Sequence, residues 1–286
     1  MDAPELVALL TGRRIAVLTG AGMSTDSGIP DYRGPDSPPS NPMTIRQFTS
    51  DPVFRQRYWA RNHLGWLHMH RTRPNAGHRA LATLERAGVV AGVITQNVDL
   101  LHTKAGSRTV VNLHGTYAEV ICLDCRTTMT RDRLATRLDA LNPGFAQRAQ
   151  PQTAPDADAI IADTSDFRLA DCPSCGGMLK PNIVYFGENV PKDRVDAACA
   201  LVDDAEALLV AGSSLTVFSG YRFVRHAAAR KMPIAIVNRG PTRGDPLADV
   251  KVDGGCSPIL ALLADELNSL STDARRPAAA SREVAR

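Results

Sequence analysis

Four of the six cysteines in this 286-residue sequence form two C-x-x-C pairs, and they have the clearest chemical pattern in the chain. They are Cys122 with Cys125, and Cys172 with Cys175. Two residues between ligands let both thiolates of a pair reach one tetrahedral zinc ion, and four cysteines leave no open coordination position. The spacing therefore predicts one structural zinc ion. The alternative is two thioredoxin-like redox pairs, but neither pair opens a helix after a predicted strand.

A second chemical pattern is the loop GAGMSTDSGIPDYRG (20–34), which follows the apolar run IAVLT (15–19). A strand that ends in Gly-Ala-Gly suggests a nucleotide site, because glycines allow close backbone approach and a following helix N-terminus can hold phosphate. A dinucleotide-dehydrogenase fingerprint, however, has a third glycine where Thr25 stands. It also needs a second strand with an acidic ribose ligand about 20 residues on. The chain instead continues into a Pro-rich loop, so hydride transfer is not predicted.

The elements that must position these residues alternate along the chain. Short β-branched runs bounded by turn residues predict buried strands, at 13–20, 89–97, 109–115, 207–214 and 233–238. Helical patterns lie between or after them, at 76–88, 192–205, 220–231 and 257–270. This alternation predicts an α/β fold with a doubly wound parallel sheet. Polar stretches follow all five strands, so we expect them to meet at the carboxyl edge of the sheet, where such folds bind ligands.

Two regions interrupt this alternation. One begins with a Pro/Ser/Asn loop and continues as an aromatic-rich helical stretch, and the other carries the four paired cysteines. Residues 146–159 are rich in Pro, Ala and Gln and are expected to be mobile. The predicted organisation is a nucleotide-binding domain (1–34, 75–115 and 182–270), a helical module with the cofactor loop (35–74), a zinc-binding module (116–181) and a disordered tail (271–286).

Composition excludes several classes of partner. A net charge of +3 is too small to predict a nucleic acid, and no cluster of basic residues interleaved with aromatics accompanies the cysteines. No apolar run approaches the roughly 18–20 residues that cross a bilayer. The N-terminal MDAPELVALLTGRR resembles neither a secretory signal nor a transit peptide. We therefore expect a cytoplasmic monomer with no membrane or nucleic-acid partner.

Taken together and in order, the motifs of this chain resemble those of the sirtuin family. The matching stretches are GAGMSTDSGIPDYRG, TQNVDLLHTKAG (95–106), NLHG (112–115), the two C-x-x-C pairs, LKPNIVYFGE (179–188), GSSLTV (212–217) and VN (237–238). They cover most of residues 13–257. The details GIPDYRG, RQRYWARN and TQNVDLLHTKAGS resemble the class II branch. That branch includes the mitochondrial sirtuin linked to lipoamidase, deacylase and ADP-ribosyltransferase activities.

The resemblance implies an NAD-dependent protein-lysine deacylase built on a Rossmann-like sheet, with NAD as co-substrate, one structural zinc ion and acyl-lysine proteins as partners. In such enzymes the acyl oxygen attacks the ribose C1′ as nicotinamide leaves, and water resolves the alkylimidate to free lysine and O-acyl-ADP-ribose. Two alternatives stay open at this point. One is a mono-ADP-ribosyltransferase using the same site, and the other is a zinc-ribbon binding module with a degenerate nucleotide fold.

The catalytic residues implied are His114 and Asn97. His114 ends a predicted strand beside a glycine that is expected to leave room for substrate. An imidazole with its ordinary pKa near 6.5 can take a proton from a ribose hydroxyl. Asn97, with Gln96 and Asp99, offers amide and carboxylate groups to the ribose and to the nicotinamide carboxamide. Their alternative role is a strand-ending turn with helix caps, and His102 is expected to be a packing residue.

The remaining NAD contacts are expected at the ends of the strands. The full set is Gly20, Ala21, Gly22, Ser24, Asp31, Tyr32, Arg33, Gln96, Asn97, Asp99, Gly212, Ser213, Ser214, Asn238, Arg239, Gly240 and Cys256. In this set Tyr32 covers the reacting ribose and Arg33 suits the pyrophosphate. An ordinary Pro-Asp turn at 30–31 is the alternative. Cys256 marks the place where family members make a backbone contact to adenine.

The substrate-binding residues implied by the resemblance are Tyr58, Arg61, Ile183, Val184, Phe186 and Gly187. The segment IVYFGE offers an extended edge for strand addition by a peptide. Because side chains alternate along a strand, at least one of its apolar residues belongs to the core instead of the acyl tunnel. Tyr58 and Arg61 share a helix face, and a class II Tyr-x-x-Arg pair binds acidic acyl groups. We therefore predict a preference for acidic or long acyl groups, the alternative being an exposed Arg beside a packed Tyr.

Overall fold

Nine strands form two sheets in the computed structural model, which describes residues 3–34, 37, 42–148 and 164–274. The strands are β1 (Ile15–Thr19), β2 (Val90–Thr95), β3 (Val110–Asn112), β4 (Gly115–Cys122), β5 (Thr128–Thr130), β6 (Leu179–Ile183), β7 (Ala207–Ala211), β8 (Ile234–Asn238) and β9 (Val250–Asp253). The large sheet is parallel, in the order β3-β2-β1-β7-β8-β9. The small sheet is antiparallel, in the order β5-β4-β6.

Helices cover the large sheet and build the second half of the molecule. They are α1 (Pro4–Leu10), α2 (Ile45–Ser50), α3 (Pro52–Arg71), α4 (Ala76–Arg86), α5 (Leu101–Ala105), α6 (Arg131–Leu141), α7 (Phe145–Arg148), α8 (Lys192–Asp203), α9 (Phe218–Ala229) and α10 (Cys256–Ala274). Both α2 and α4 begin with a capping box, from Thr44 and Asn75. In each, the cap side chain and the N3 side chain satisfy each other's backbone amides, which sets where the helix starts.

The predicted α/β fold with a doubly wound parallel sheet is confirmed. All five predicted strands are present, and in β1, β2, β7 and β8 every residue is buried. Alternate residues of β1 enter two different cores, Ile15 and Val17 on one face and Ala16 and Leu18 on the other. Helices α1, α4 and α10 cover the first face, and α8 and α9 cover the second. Burial on both faces explains why these strands are continuous apolar runs.

A third core, which we call the helical–zinc cluster, lies between α2, α3 and the small sheet. Its buried members include Phe48, Trp59, Tyr117 and Leu134 together with Cys122 of the zinc-binding module. The two regions that interrupt the strand–helix alternation therefore pack on each other. The helical stretch predicted before residue 74 is present as α2 and α3.

The sequence-based predictions differ from the structure at the chain's C-terminal end. Helix α10 continues to Ala274, so the tail predicted to start at 271 is wrong for its first four residues, and 275–286 lie outside the described residues. Strand β9 was not predicted. Of the segment 146–159, only residues up to Arg148 are described, and they belong to α7.

Within the described residues, no helix combines the length and apolar character that crossing a bilayer requires.

Candidate active site

A cavity of about 820 Å³ opens at the carboxyl edge of the large sheet. It is lined by the loops that follow β1, β2, β7 and β8, by α3 and by the segment after β6. The residues predicted to bind NAD and substrate all line it except Arg61 and Cys256. The cavity has the size typical of ligand sites, and the sheet edge is where parallel α/β folds bind ligands.

The glycines of the GAG loop line the cavity and also allow two loops to pack closely on each other. A Cβ atom on Gly20 would lie 2.8 Å from the carbonyl oxygen of Gly212, and Gly22 packs on the same turn. Their amides are also occupied, since Gly20 N donates to Ala211 O and Gly22 N donates to Gly212 O. Short 3-10 turns follow instead of an α-helix. The α-helix N-terminus that would hold a phosphate does not follow these glycines. The glycines join the first loop to the turn after β7.

Three polar side chains form one network at the floor of the cavity. Asn97 Nδ2 donates to the carbonyl of Gly20 (2.9 Å) and to Ser24 Oγ (3.1 Å), and Ser24 Oγ donates to Asp99 Oδ2 (2.6 Å). Asp99 Oδ1 also accepts from the amide of Leu101 (2.9 Å) at the start of α5. Burial raises the pKa of Asp99, and the Ser24 hydrogen bond opposes this rise. Asp99 therefore both accepts a hydrogen bond from the first turn of α5, as considered from the sequence, and lines the cavity.

Gln96 connects the loops after β1, β2 and β7. Its Nε2 donates to Ser213 Oγ (2.9 Å) and to the carbonyl of Thr19 (3.2 Å). A Cβ atom on Gly220 would meet the Gln96 amide, so the glycine gives α9 the room to approach it. Gln96 thus fixes the relative positions of three loops that carry predicted NAD contacts.

His114 has both ring nitrogens within hydrogen-bonding distance of a partner. Nδ1 lies 2.9 Å from the carbonyl oxygen of Gln96, and Nε2 lies 2.8 Å from Ser219 Oγ. A carbonyl only accepts, so Nδ1 carries the proton and the neutral ring has its lone pair on Nε2. Burial lowers the pKa of His114 to about 4, with a further lowering from Arg194. The ring is therefore neutral at pH 7 and its Nε2 can accept a proton.

Gly115, the residue after His114, does not make room for substrate as predicted. It has a φ of 82°, and a Cβ atom there would collide with the carbonyl of Asn182. The glycine instead allows β4 to approach β6, where it pairs with Ile183. At the same place Val184 N donates to the carbonyl of His114 (2.8 Å). The predicted base and the predicted peptide-binding segment are thus joined by one backbone hydrogen bond.

The segment after β6 alternates as expected. Ile183 and Tyr185 are buried, whereas Phe186 is 38% exposed at the rim of the cavity. Phe186 O accepts from Ile45 N (3.0 Å), which ties the segment to α2.

A buried ion pair fixes the end of this segment. Lys180 Nζ donates to Glu188 Oε2 (2.5 Å) and to the carbonyl of Ile183 (2.9 Å). The same carboxylate oxygen accepts from Tyr185 N (2.7 Å). Burial lowers the pKa of Lys180, while Glu188 opposes that change. The turn 184–188 is therefore held from inside by one side-chain pair.

The two residues predicted to recognise an acidic acyl group are placed differently. Tyr58 lines the cavity and packs edge-on against Phe48 and Tyr185, with ring centroids 5.5 and 5.6 Å apart. Arg61, one turn further along α3, is half-buried and does not line the cavity. The structure thus brings only the tyrosine of the pair to the site.

The other residues predicted to contact NAD fall into two groups. Asp31 lines the cavity with Tyr32 and Arg33, and its carboxylate accepts from Gly34 N (3.1 Å) and from Ser37 Oγ. At the far end, Asn238 Nδ2 donates to the carbonyl of Arg239 (2.8 Å), which shapes the turn after β8. Ala21, Ser214 and Gly240 also line the cavity. Cys256 is buried as the first residue of α10, away from the lining.

His102 is buried below the site, as expected of a packing residue. Its Nε2 lies 2.9 Å from Thr19 Oγ1, and its ring centroid lies 4.7 Å from that of His78. Burial lowers the pKa of both rings, for His78 to about 4.

Several lining residues were missed by sequence reasoning. They include Met69, Val98, Tyr117, Tyr185, Ser219 and Arg222. Tyr185 and Val98 lie inside the quoted segments IVYFGE and TQNVDLLHTKAG and could have been found from them. The others are ordinary core or helix residues in the sequence, and only the fold brings them to the cavity.

The four paired cysteines lie together at one end of the small sheet. Their sulfur atoms are all within 4.8 Å of one another, with Cys122 to Cys175 at 3.6 Å and Cys125 to Cys172 at 3.7 Å. A tetrahedral zinc ion with Zn–S bonds of about 2.3 Å separates its ligands by about 3.8 Å, so the four thiols fit that ion. Zinc would be enclosed by four protein ligands and serve structure.

Fold and cavity together define an α/β protein that binds a nucleotide at the carboxyl edge of its sheet and carries a four-cysteine zinc module. The model of the Sir2 family matches residues 20–219. The chain therefore belongs to the Sir2 family, the sirtuins, which use NAD as a co-substrate. The resemblance described from the sequence is confirmed.

Individual relatives agree with this assignment. NAD-dependent protein deacetylase 1 of Mycobacterium avium is 74% identical over 275 residues, covering 95% of this chain and 98% of the relative. The bovine protein named NAD-dependent protein lipoamidase sirtuin-4, mitochondrial, is 44% identical over 267 residues, covering 91% and 84%. A solved Sir2 complex with a p53 peptide and NAD+ has a TM-score of 0.76 at 32% identity, covering 94% of this chain and 100% of that one.

Proposed function

We propose that this protein is an NAD-dependent protein-lysine deacylase with His114 as its general base. The observation that carries the proposal is the state of the His114 ring: Nδ1 is bound to the carbonyl of Gln96, which leaves the Nε2 lone pair as proton acceptor in the cavity. The backbone of the same residue is bonded to the segment at 184 that we expect to pair with the peptide. The Mycobacterium avium relative, named a deacetylase, supports this reaction class.

The roles of the surrounding residues follow from their contacts. NAD supplies the nicotinamide–ribose bond that is broken. Gln96, Asn97 and Asp99 are already oriented by hydrogen bonds to neighbouring loops, so they present fixed donors and acceptors to a ribose and a carboxamide. His114 takes a proton from a ribose hydroxyl at Nε2, and its lowered pKa keeps it unprotonated at neutral pH.

For the acyl group we propose a long chain, with the acidic preference tested beside it. The cavity wall that faces the helical–zinc cluster is apolar, and it comprises Ile29, Met43, Met69, Tyr117 and Ile183. Such a wall favours methylenes over a bare methyl group by about 0.8 kcal/mol for each one buried. The bovine relative named as a lipoamidase supports a long acyl group. Arg61 contributes to recognition of the acyl group only if an acidic acyl chain reaches beyond Tyr58.

The decisive experiment measures nicotinamide release and O-acyl-ADP-ribose by mass spectrometry with acetyl-, succinyl-, glutaryl-, octanoyl- and lipoyl-lysine peptides. We expect NAD-dependent turnover, faster with the long chains, and its loss by at least about 10³-fold in His114→Tyr. His70→Tyr, an exposed histidine on α3, is the matched control. Retained turnover in His114→Tyr would contradict the base, and fastest turnover of acetyl-lysine would contradict the acyl preference.

Two further arms separate the remaining alternatives. Arg61→Ala tests acidic recognition: selective loss of succinyl and glutaryl turnover supports it, and an unchanged profile rejects it. Transfer of label from radiolabelled NAD to protein, with acyl peptides left intact, would replace the deacylase proposal by mono-ADP-ribosylation.

A further inference from the structure

Ser219 lies next to the proposed base, although 105 positions separate the two in the chain. It stands in the first turn of α9, and its Oγ is 2.8 Å from Nε2 of His114. Both residues line the cavity. Ser219 is half-buried, so a substrate hydroxyl that enters the cavity can reach the same nitrogen.

The direction of this hydrogen bond follows from the opposite side of the ring. Because Nδ1 donates to the carbonyl of Gln96, Nε2 of the neutral ring has only its lone pair to offer. The serine hydroxyl is therefore the donor, and Nε2 is the acceptor. Ser219 is thus hydrogen-bonded to Nε2, the atom of His114 that receives the proton in the proposed reaction.

We infer that Ser219 is a positioning residue: its hydroxyl holds the Nε2 lone pair of His114 directed into the cavity until a ribose hydroxyl takes its place. This inference rests on the proposed function, because it assigns meaning to Nε2 only if His114 is the base. The exchange is conservative, since one hydroxyl donor replaces another at the same acceptor. The proton then moves from the ribose oxygen to Nε2, and no other group is consumed.

The hydrogen bond also affects which form of the ring is stable. A donor bound to the neutral acceptor disfavours protonation there. Ser219 therefore acts in the same direction as burial and as Arg194 of α8, both of which lower the pKa of His114. The charged side chains that line the same cavity are Asp31 and Arg33 after β1, Asp99 after β2, Glu188 after β6, Arg222 on α9 and Arg239 after β8.

The direct test is an NMR titration of the His114 ring in wild type, Ser219→Ala and Ser219→Thr. We expect the pKa of His114 to rise by about 0.5 to 1 unit in Ser219→Ala, the equivalent of one neutral hydrogen bond. Ser219→Thr keeps the hydroxyl and should stay within about 0.2 units of wild type. Ser269→Ala, on the surface of α10, controls for the substitution itself. An unchanged value in Ser219→Ala, or an equal rise in Ser219→Thr, would overturn the inference.

A kinetic arm uses the pH profile of kcat/KM for NAD, which reports ionisation of the free enzyme. The acid limb of Ser219→Ala should move to higher pH by the same amount as the ring pKa, while Ser219→Thr restores it. A change in kcat/KM of the same factor at every pH would mean a packing role only and would reject the inference. The two proposals fail separately. Retained activity of His114→Tyr would reject the role of His114 as the base. An inactive His114→Tyr together with an unchanged His114 pKa in Ser219→Ala would reject only the role of Ser219.

Discussion

The large sheet and the helical–zinc cluster are both well buried, but they are built from different materials. The sheet cores contain aliphatic residues on both faces of every central strand. The helical–zinc cluster surrounds Arg131, which is fully buried, and adjoins the buried polar residues Asn62 and His63. It also contains Cys122 and Cys172 of the predicted zinc site.

This difference indicates which interactions stabilise each region. The sheet is stabilised by apolar burial, and the buried residues of each central strand follow one another in the sequence. The cluster instead contains a four-cysteine metal site and a buried guanidinium placed 5.5 Å from the Trp59 ring and 5.6 Å from the Trp66 ring. Each of these needs partners from distant segments. The two regions should therefore respond differently to substitution, acid and metal removal.

The largest effect is expected from removing a zinc ligand. Structural zinc contributes about 10–16 kcal/mol in zinc-finger peptides, as much as the whole stability of a typical domain. We expect Cys122→Ser to lose zinc and to expose β4–β6 and α3 to hydrogen exchange, while the amides of β1, β2, β7 and β8 stay protected. Zinc content and exchange mass spectrometry measure this. Cys199→Ser, in α8, is the control that should keep both, and equal loss of protection in the two regions would contradict the distinction.

The next effect concerns the sheet. Leu209 in β7 is fully buried in an aliphatic core. Leu209→Ala should lower the free energy of unfolding by about 2–5 kcal/mol, from lost burial and the cavity left behind. Urea denaturation measures it, with zinc content unchanged. The control Leu247→Ala, at a residue 36% exposed, should cost less than about 0.5 kcal/mol. A loss below about 1 kcal/mol for Leu209→Ala would contradict tight apolar packing here.

Acid should destabilise the sheet region through His78. Burial lowers its pKa in the folded protein to about 4, against 6.5 for an unhindered histidine. Between these values the unfolded chain binds a proton that the folded chain does not, so stability falls as the pH drops from 6.5 towards 4. The slope is at most about 1.4 kcal/mol per pH unit for one such group. Urea denaturation at several pH values, with zinc retention checked, measures it.

Two variants make the pH experiment specific. His78→Gln removes the buried titrating ring and should flatten part of the slope. His70→Gln, at an exposed position, should leave the slope as in wild type. Equal slopes in wild type and His78→Gln would show that the acid sensitivity lies elsewhere.

The smallest effect is expected at Arg131. Among the described residues its Nε and Nη1 have no hydrogen-bond partner, and burial lowers its pKa to about 10. Burial of a guanidinium carries a desolvation cost of several kcal/mol, which offsets much of what its contacts with Asn62 and the two indole rings contribute. Arg131→Met should therefore change the free energy of unfolding by less than about 1 kcal/mol. Arg133→Met, at an exposed site on the same helix, is the control, and a loss above about 3 kcal/mol in Arg131→Met would contradict this view.

The same contrast explains how far the sequence could predict the structure. The strands of the sheet were predictable because burial on both faces makes each one an unbroken apolar run. Strand β9 was missed because VKVD is short and alternates with charged residues at the sheet edge. Helix α3 has no clear apolar stripe, since the consecutive residues 58–60 and 62–66 are buried and therefore point in several directions around the helix. The burial of Arg131 could not be predicted, because its Trp59 and Trp66 partners lie on another helix.

In the site, motif residues were predictable and their neighbours were not. His114, Gln96 and Asn97 follow strands, so their meeting at one edge follows from the parallel sheet. Ser219 sits in a helix turn with no local signal, and its 2.8 Å contact exists only because α9 returns to the loop after β3. Gly115 was assigned to the substrate side because the sequence does not reveal that β6 crosses so near to it.

The pairing of Gly115 with Ile183 has a wider consequence for how this chain can vary. The chain leaves the large-sheet domain after His114 and returns to it after Ile183, and at this crossing Gly115 pairs with Ile183 and Val184 N donates to the carbonyl of His114. We therefore expect insertions or deletions between the two cysteine pairs to leave the spacing between His114 and the segment at 184 unchanged. On this expectation the zinc module can vary in length without a change in the backbone geometry at His114.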